Sequence, residues 1–242
     1  PALAHEAGAV NRIKAGQRFT VVIGNPPYSL LSANMKPHHR SLVEEYKFVN
    51  GVRIRERGAL QLEKNLNDDY VKFIRLSQLA LRDAGCGASG LITNHSFIDN
   101  PTMRGMRWSL LTSSSRLWLI DLHGNSTKQE EAPEGAGNEN VFQIKQGVAI
   151  TMSVSWQKSE NSECVVRYRE LWGDRQAKEQ WLGKNSVGAD AWRMLTPTPD
   201  LYLFVPQSDS LKKEYSVWPA LPDMMPVNGA GYITARDNLV VD

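Results

Sequence analysis

Asn25, Pro26, Pro27 and Tyr28 stand directly after the apolar, β-branched run Phe19 to Gly24 (FTVVIG), and residues of these types in this order can act on a conjugated amino nitrogen. Such a nitrogen is a poor nucleophile because its lone pair is delocalised. The side-chain carbonyl of Asn25 and the backbone carbonyl of Pro26 can accept both amino hydrogens. That favours a tetrahedral nitrogen whose lone pair faces an electrophilic methyl group, with no covalent intermediate. Each proline drives the residue before it towards extended backbone and offers no competing N–H, so the acceptors are held rigidly. Tyr28 adds an aromatic face for a planar base, a contact typically worth ~1–3 kcal/mol. Gly24 lets the backbone come close. The bland alternative is a proline-stiffened strand exit with a chance tyrosine. The VVIG strand argues against it, because open α/β sheets bind ligands beyond the carboxyl ends of their strands.

The elements that must position these residues follow from periodicity. FTVVIG reads as a buried strand. Leu31 to Asn65 is a polar, mildly basic insertion. Asn67, Asp68 and Asp69 supply cap candidates for a helix with Tyr70, Phe73, Ile74, Ala80 and Leu81 at helical spacing, stopped at Gly85 and Gly87. Gly90 to Ile98 reads as a strand, and Asn100-Pro101 opens a helix that turns Met103, Met106, Leu110 and Leu111 inward. Arg116 to Leu122 and Gly147 to Trp156 are further strands, separated by a Glu/Gly/Asn-rich loop, and Cys164 to Leu171 is a weaker candidate. The order implies an α/β fold, a mostly parallel sheet covered by helices with an antiparallel pair at its edge. Beyond Lys158 the signals fade, with Trp172, Trp181 and Trp192 in polar surroundings and a turn at Thr196 to Asp200. Two regions are expected, 1–158 and 159–242.

At 242 residues, 41% hydrophobic and 22% charged, the chain can build a core, which excludes a disordered protein. A net charge of +2 does not announce a nucleic-acid partner, so any basic footprint must be a local patch. Cys86 and Cys164 make neither a disulfide framework nor a zinc set, which points to a reducing cytoplasm. His38, His39, His95 and His123 lack metal-ligand spacing, and no metal is expected. No membrane-spanning stretch and no signal peptide is present, so no membrane is expected as a partner. Because the chain opens on Pro1 and its first strand leads straight into the chemistry-bearing residues, it is expected to be part of a longer polypeptide.

FTVVIGNPPY resembles the catalytic motif of amino-methyltransferases that use S-adenosylmethionine. By itself the motif leaves the substrate open: adenine in DNA, adenine in RNA, or a glutamine side chain of a protein. LNDDYVKFIRLSQLAL, GLITNHSFIDNPTMRGMR, LIDLHGNSTKQE and ENVFQIKQGVAI together are similar to the methyltransferase region of single-chain restriction-modification enzymes of type ISP, which are fused to a helicase-like translocase. The resemblance runs from Phe19 to Ser155, and the terminal GYITARDNLVVD is similar to the family's entry into a target recognition region.

This resemblance implies a partial Rossmann-like methyltransferase fold, with residues 1–158 its catalytic part and 159–242 a connector and the start of target recognition. It implies adenine-N6 methylation of double-stranded DNA by S-adenosylmethionine, with nuclease and translocase domains in the same full-length polypeptide. Asn25, Pro26, Pro27 and Tyr28 would be catalytic, and Phe142, matching the family's aromatic position before a strand, would stack the flipped base against Tyr28. The family's glycine-rich cofactor loop comes before the catalytic motif. The one GxGxxG run here, Gly85 to Gly90, follows a helix instead and reads as a helix stop and turn, so cofactor-binding residues are not assigned. The alternatives are an RNA or protein-glutamine methyltransferase, and a catalytically silent DNA-binding module. Arg104 and Arg107, three apart on a helix, are candidates for the DNA backbone, and Arg53, Arg55 and Arg57 are either a DNA-tracking loop or a solvated one.

Overall fold

The computed structural model describes residues 2–28, 32–55, 63–128, 130–156, 163–188, 192–219 and 221–225. Arg57 and the terminal GYITARDNLVVD lie outside them. Two compact units are formed, Pro1–Val205 and Pro206–Asp242.

The first unit opens with helix α1 (Ala2–Gly16) and strand β1 (Val21–Gly24), the strand read from FTVVIG, which is not the buried strand expected, since Phe19, Val21 and Ile23 are exposed. The insertion folds into α2 (Pro37–Leu42), a 3₁₀ turn and a hairpin of β2 (Phe48–Val49) with β3 (Val52–Arg53). It is docked rather than loosely solvated: Val43, Tyr46 and Ile54 are buried, and the Tyr46 hydroxyl donates to Gln78 Oε1 at 2.5 Å. Arg53 pairs with Glu44 at 2.8 Å, and Arg75 pairs with Glu45.

Helix α3 (Asp69–Ala84) starts after Asp68 and stops where Gly85 takes the left-handed conformation (φ 82°), which costs glycine little. Tyr70, Ile74 and Leu81 point into the core as the spacing predicts, whereas Phe73 stays exposed on the flank beside β1. Strand β4 (Gly87–Asn94) is followed by a 3₁₀ turn at His95–Ile98 where a continuing strand was expected, because Asn94 accepts the Ser96 N–H and turns the chain. Asn100 likewise accepts the Thr102 N–H and, with Pro101 behind it, starts the segment that becomes α4 (Arg104–Ser113). Met103, Met106 and Leu110 are buried there, and Gly105 is needed because a Cβ would overlap the Tyr46 carbonyl.

β5 (Arg116–Asp121), β6 (Val148–Ser155), β7 (Val165–Glu170), α5 (Arg175–Lys184) and β8 (Arg193–Leu195) complete the unit. The six-stranded sheet has the order β1-β4-β6-β5-β7-β8. β1 and β4, and β5 and β7, pair in parallel, and the sheet ends in the antiparallel pair β7–β8. The α/β fold with a mostly parallel sheet and an antiparallel edge pair is therefore as read from the sequence. One strand sits elsewhere than expected, since β6 lies inside the sheet, antiparallel to β4 on one side and β5 on the other. The compact unit runs past residue 158 to Val205, because β7 and β8 hydrogen-bond into this sheet and bring Val166 and Tyr168 into its core.

Side chains alternate across the sheet, giving it two buried faces. Leu91, Leu117, Leu119, Ala149, Val166 and Tyr168 pack against α3 and α4. Ile92, Ile120, Ile150 and Met152 face Tyr28, Phe142 and Trp181 on the other side. Burying each such aliphatic side chain contributes ~1.5–3 kcal/mol, so both faces hold the strand ends in place. The second unit contains α6 (Asp209–Ser216) and α7 (Leu221–Met224).

Candidate active site

Asn25 to Tyr28 leave the carboxyl end of β1, next to the carboxyl end of β4 (Gly24 faces Leu91). Pro26 is buried and Asn25 exposed, so the ring anchors the turn while the amide faces outward. The Tyr28 hydroxyl donates to Asn25 Oδ1 at 3.2 Å. Burial pushes the Tyr28 phenol up to about 12, so near neutrality it keeps its proton and can act as a donor. A carbonyl oxygen has two lone pairs, and the second one on Asn25 remains for an incoming N–H. The chain that follows is tied to the start of α3: Ser32 and Asn34 donate to Asp69 at 2.5 and 3.1 Å, and Lys72 donates to Ser32 Oγ at 2.7 Å and the Asn34 carbonyl at 2.8 Å.

Phe142 faces Tyr28 with ring centroids 6.4 Å apart and planes tilted by 55°. A base between two rings needs about 7 Å, two carbon contacts of ~3.5 Å, so a small widening and a turn towards parallel would admit one. The Phe142 loop is held by Asn140, whose Oδ1 accepts the Phe142 N–H (2.8 Å) while its Nδ2 donates to the carbonyls of Gly124 (2.9 Å) and Gln146 (2.7 Å). Gly124, at φ 79°, is the residue Asn140 presses against, leaving no room for a Cβ. Behind them Lys178 of α5 is buried and donates to the carbonyls of Leu122 (2.8 Å) and Glu139 (2.6 Å), and Arg175 donates to the Asn140 carbonyl. Sequence reasoning missed this support. The available signal was Asp174, which caps α5 by accepting the Ala177 N–H, followed by Trp181 and Leu182 on an inner face.

A buried polar cluster closes the ends of β4 and β5. His95 Nδ1 donates to Asp121 (3.0 Å), and Nε2 then accepts from the Asn125 amide (3.0 Å), an orientation that agrees with Asn125 Oδ1 accepting the N–H groups of Thr127 and Lys128. His123 takes a positive φ of 52° and stacks on Trp172 at 3.5 Å. Burial lowers its pKa, but Glu130, Asp121 and Glu170 outweigh this and the net shift is upward. These histidines brace the loop that carries Phe142.

Beside β1 lies an apolar recess of about 600 Å³, bounded by Phe19, Val21, Gly24, Asn25, Pro26 and Phe73. One end of it reaches the catalytic-motif residues Asn25, Pro26 and Pro27. None of its described lining residues offers a carboxylate for a ribose. Gly85 ends α3, and Gly87 lets β4 pass close to the Thr20 carbonyl, so the glycine run is structural.

Arg107 does not serve as a DNA-backbone contact. It is fully buried, donating from Nη1 to the carbonyls of Phe97 (2.7 Å) and Asn100 (2.8 Å) and from Nε and Nη2 to that of Leu201 (3.0 and 2.7 Å). Arg104 is half-buried and donates to the Asp200 carbonyl at 3.3 Å.

Among solved structures, the chain is similar to the DrdV–DNA complex (23% identity, TM-score 0.65, covering 85% of this chain and 20% of that one). It is similar to a nuclease-deletion mutant of the type ISP restriction-modification enzyme LlaGI with a DNA substrate mimic (21% identity, TM-score 0.67, covering 86% and 20%). The ATP-dependent type ISP enzyme LlaBIII bound to DNA gives 26% identity and a TM-score of 0.63, covering 86% and 14%. The chain thus spans a fifth or less of the length of these proteins. No curated protein matches it. The Eco57I restriction-modification methylase family matches residues 3–127, which include the Asn25–Tyr28 turn, α3, β4, α4 and β5, and the chain belongs to that family.

Proposed function

We propose that this chain carries the base-facing part of a DNA methyltransferase that methylates the N6 amino group of adenine in double-stranded DNA, within a restriction-modification enzyme. One observation carries the reading: at a strand's carboxyl end, Asn25 Oδ1 is oriented by the Tyr28 hydroxyl while the Tyr28 ring faces Phe142. The DNA named in all three structural relatives supports DNA as substrate. S-adenosylmethionine would supply an electrophilic methyl, its reactive end beside the recess at Gly24, Asn25 and Pro26.

In this reading Asn25 Oδ1 and the Pro26 carbonyl accept the two amino hydrogens of a flipped adenine. Pro27 keeps the turn extended and withholds a competing donor. Tyr28 and Phe142 clasp the base, offsetting the few kcal/mol lost when it leaves the helix stack. Arg104 remains the candidate for a phosphate contact, and the segment beyond Val205 would lead into target recognition. Nuclease and translocase domains in the same polypeptide and a reducing cytoplasm complete the proposal.

Transfer of labelled methyl groups from S-adenosylmethionine to duplex oligonucleotides, followed by nucleoside mass analysis, tests this directly. N6-methyladenine is expected, and label found in protein or RNA alone would overturn it. Phe142→Ala should weaken capture of the flipped base by about 1–3 kcal/mol. The readout is the fluorescence of 2-aminopurine placed at the target position; an unchanged signal would remove Phe142 from the clasp.

A further inference from the structure

Beyond the carboxyl ends of β4 and β5, on the α3 side, lies a second cavity of about 220 Å³, lined by polar side chains including Asn65, Asn94, Ser96, Asn125, Thr127 and Gln146. It is distinct from the recess beside Asn25, with which it shares no lining residue. Phe142 is not in its lining, but Gln146, which is, shares a support with it: both are fastened to the Asn140 amide, the first by its carbonyl and the second by its N–H. The stacking residue and one wall of the cavity are thus held by the same side chain.

Its chemistry selects the ligand. Among the described residues, the side chains of Asn65, Thr127 and Gln146 make no hydrogen bond, while Asn94 and Asn125 spend their oxygens on backbone N–H groups. Free amides and a hydroxyl present both donors and acceptors. The cation at the rim, Lys128, is paired with Asp99 at 2.7 Å, and the buried carboxylate of Asp68 is part of the lining, so a phosphate is disfavoured. The volume admits one heterocycle. Amide side chains read base edges through paired donor and acceptor contacts.

We propose that this cavity receives a nucleobase adjacent to the flipped one and reads its edge through Asn65, Thr127 and Gln146, making it a sequence-selecting subsite within the catalytic unit. The inference rests on the DNA reading given above. Its test uses the full-length polypeptide, with methylated positions mapped by sequencing DNA exposed to the wild type, Gln146→Ala, Thr127→Val or Gln146→Glu. The wild type should show one strongly preferred base beside the methylated adenine. The first two variants should relax that single position, on the order of 5- to 150-fold per lost bidentate contact, while more distant positions keep their preference. Gln146→Glu, which trades a donor for an acceptor, should change which base is preferred. Identical site preferences in all four proteins, or a uniform loss over every position, would overturn the subsite while leaving the methyltransferase intact. Failure of the wild type to methylate DNA would instead remove the parent reading, and the subsite with it.

Discussion

Replacing Asn25 with alanine in the full-length polypeptide should abolish detectable methyl transfer while leaving DNA affinity nearly unchanged. The amide is exposed at the strand end, so its removal costs little folding energy, and it contributes no charge to attract DNA. What is lost is an acceptor placed where the amino hydrogens gain partial positive charge. Loss of one preorganised group of this kind typically costs about 10²–10³ in rate, and here the Tyr28 hydroxyl would lose its partner as well. Asn25→Asp keeps the acceptor oxygen and should fall between the two. Single-turnover rates on a duplex substrate, with affinity measured by fluorescence anisotropy, separate chemistry from binding. An alanine variant that still methylates at the wild-type rate would remove Asn25 from the mechanism.

Arg107→Ala should be among the most destabilising substitutions in α4, at roughly 2–5 kcal/mol, since each buried acceptor left unpaired costs about 1–3 kcal/mol. The guanidinium is fully buried and joins three backbone carbonyls, those of Phe97, Asn100 and Leu201, through four hydrogen bonds. Truncation takes the guanidinium donors from the Phe97 and Leu201 carbonyls, whereas the Asn100 carbonyl keeps the Met103 N–H. Arg107→Lys should rescue little, since an ammonium cannot reproduce the planar fork. Urea unfolding gives the answer as a shift in midpoint at constant slope. A loss below about 1 kcal/mol would mean that the carbonyls find other donors.

Local chemistry was readable in the residues. The proline pair after VVIG, the glycine stop of α3, and Asn100-Pro101 before α4 each act within a few positions of themselves and do in space what their types suggest, whereas the Asp68 side chain makes no capping hydrogen bond at the start of α3. The antiparallel edge pair was anticipated, but not the insertion of β6 between β4 and β5, because periodicity marks a strand without naming its neighbours. Arg107 was read as a surface cation for a related reason. A helix face that is charged in the sequence can still point inward when irregular segments bring their carbonyls to it, here from 94 residues away at Leu201. Lys178 was invisible on the same ground, since its partners Leu122 and Glu139 lie 56 and 39 residues earlier. The insertion reads as polar because its buried residues, Val43, Tyr46 and Ile54, are spread among charges that pair with one another.

β1 is hydrogen-bonded to β4 along one side and is one of the two outermost strands of the sheet among the described residues, with Val21 and Ile23 exposed. The turn that carries Asn25 is therefore suspended from a strand with a single described neighbour in the sheet. In deuterated solvent, amide protons of Val21 to Gly24 should exchange well ahead of those in β4, β5 and β6, which are paired on both sides. Any strand that came to lie along β1 would slow that exchange and steady the acceptors at the same moment. The lifetime of these few amide protons would thus report how well the catalytic turn is held.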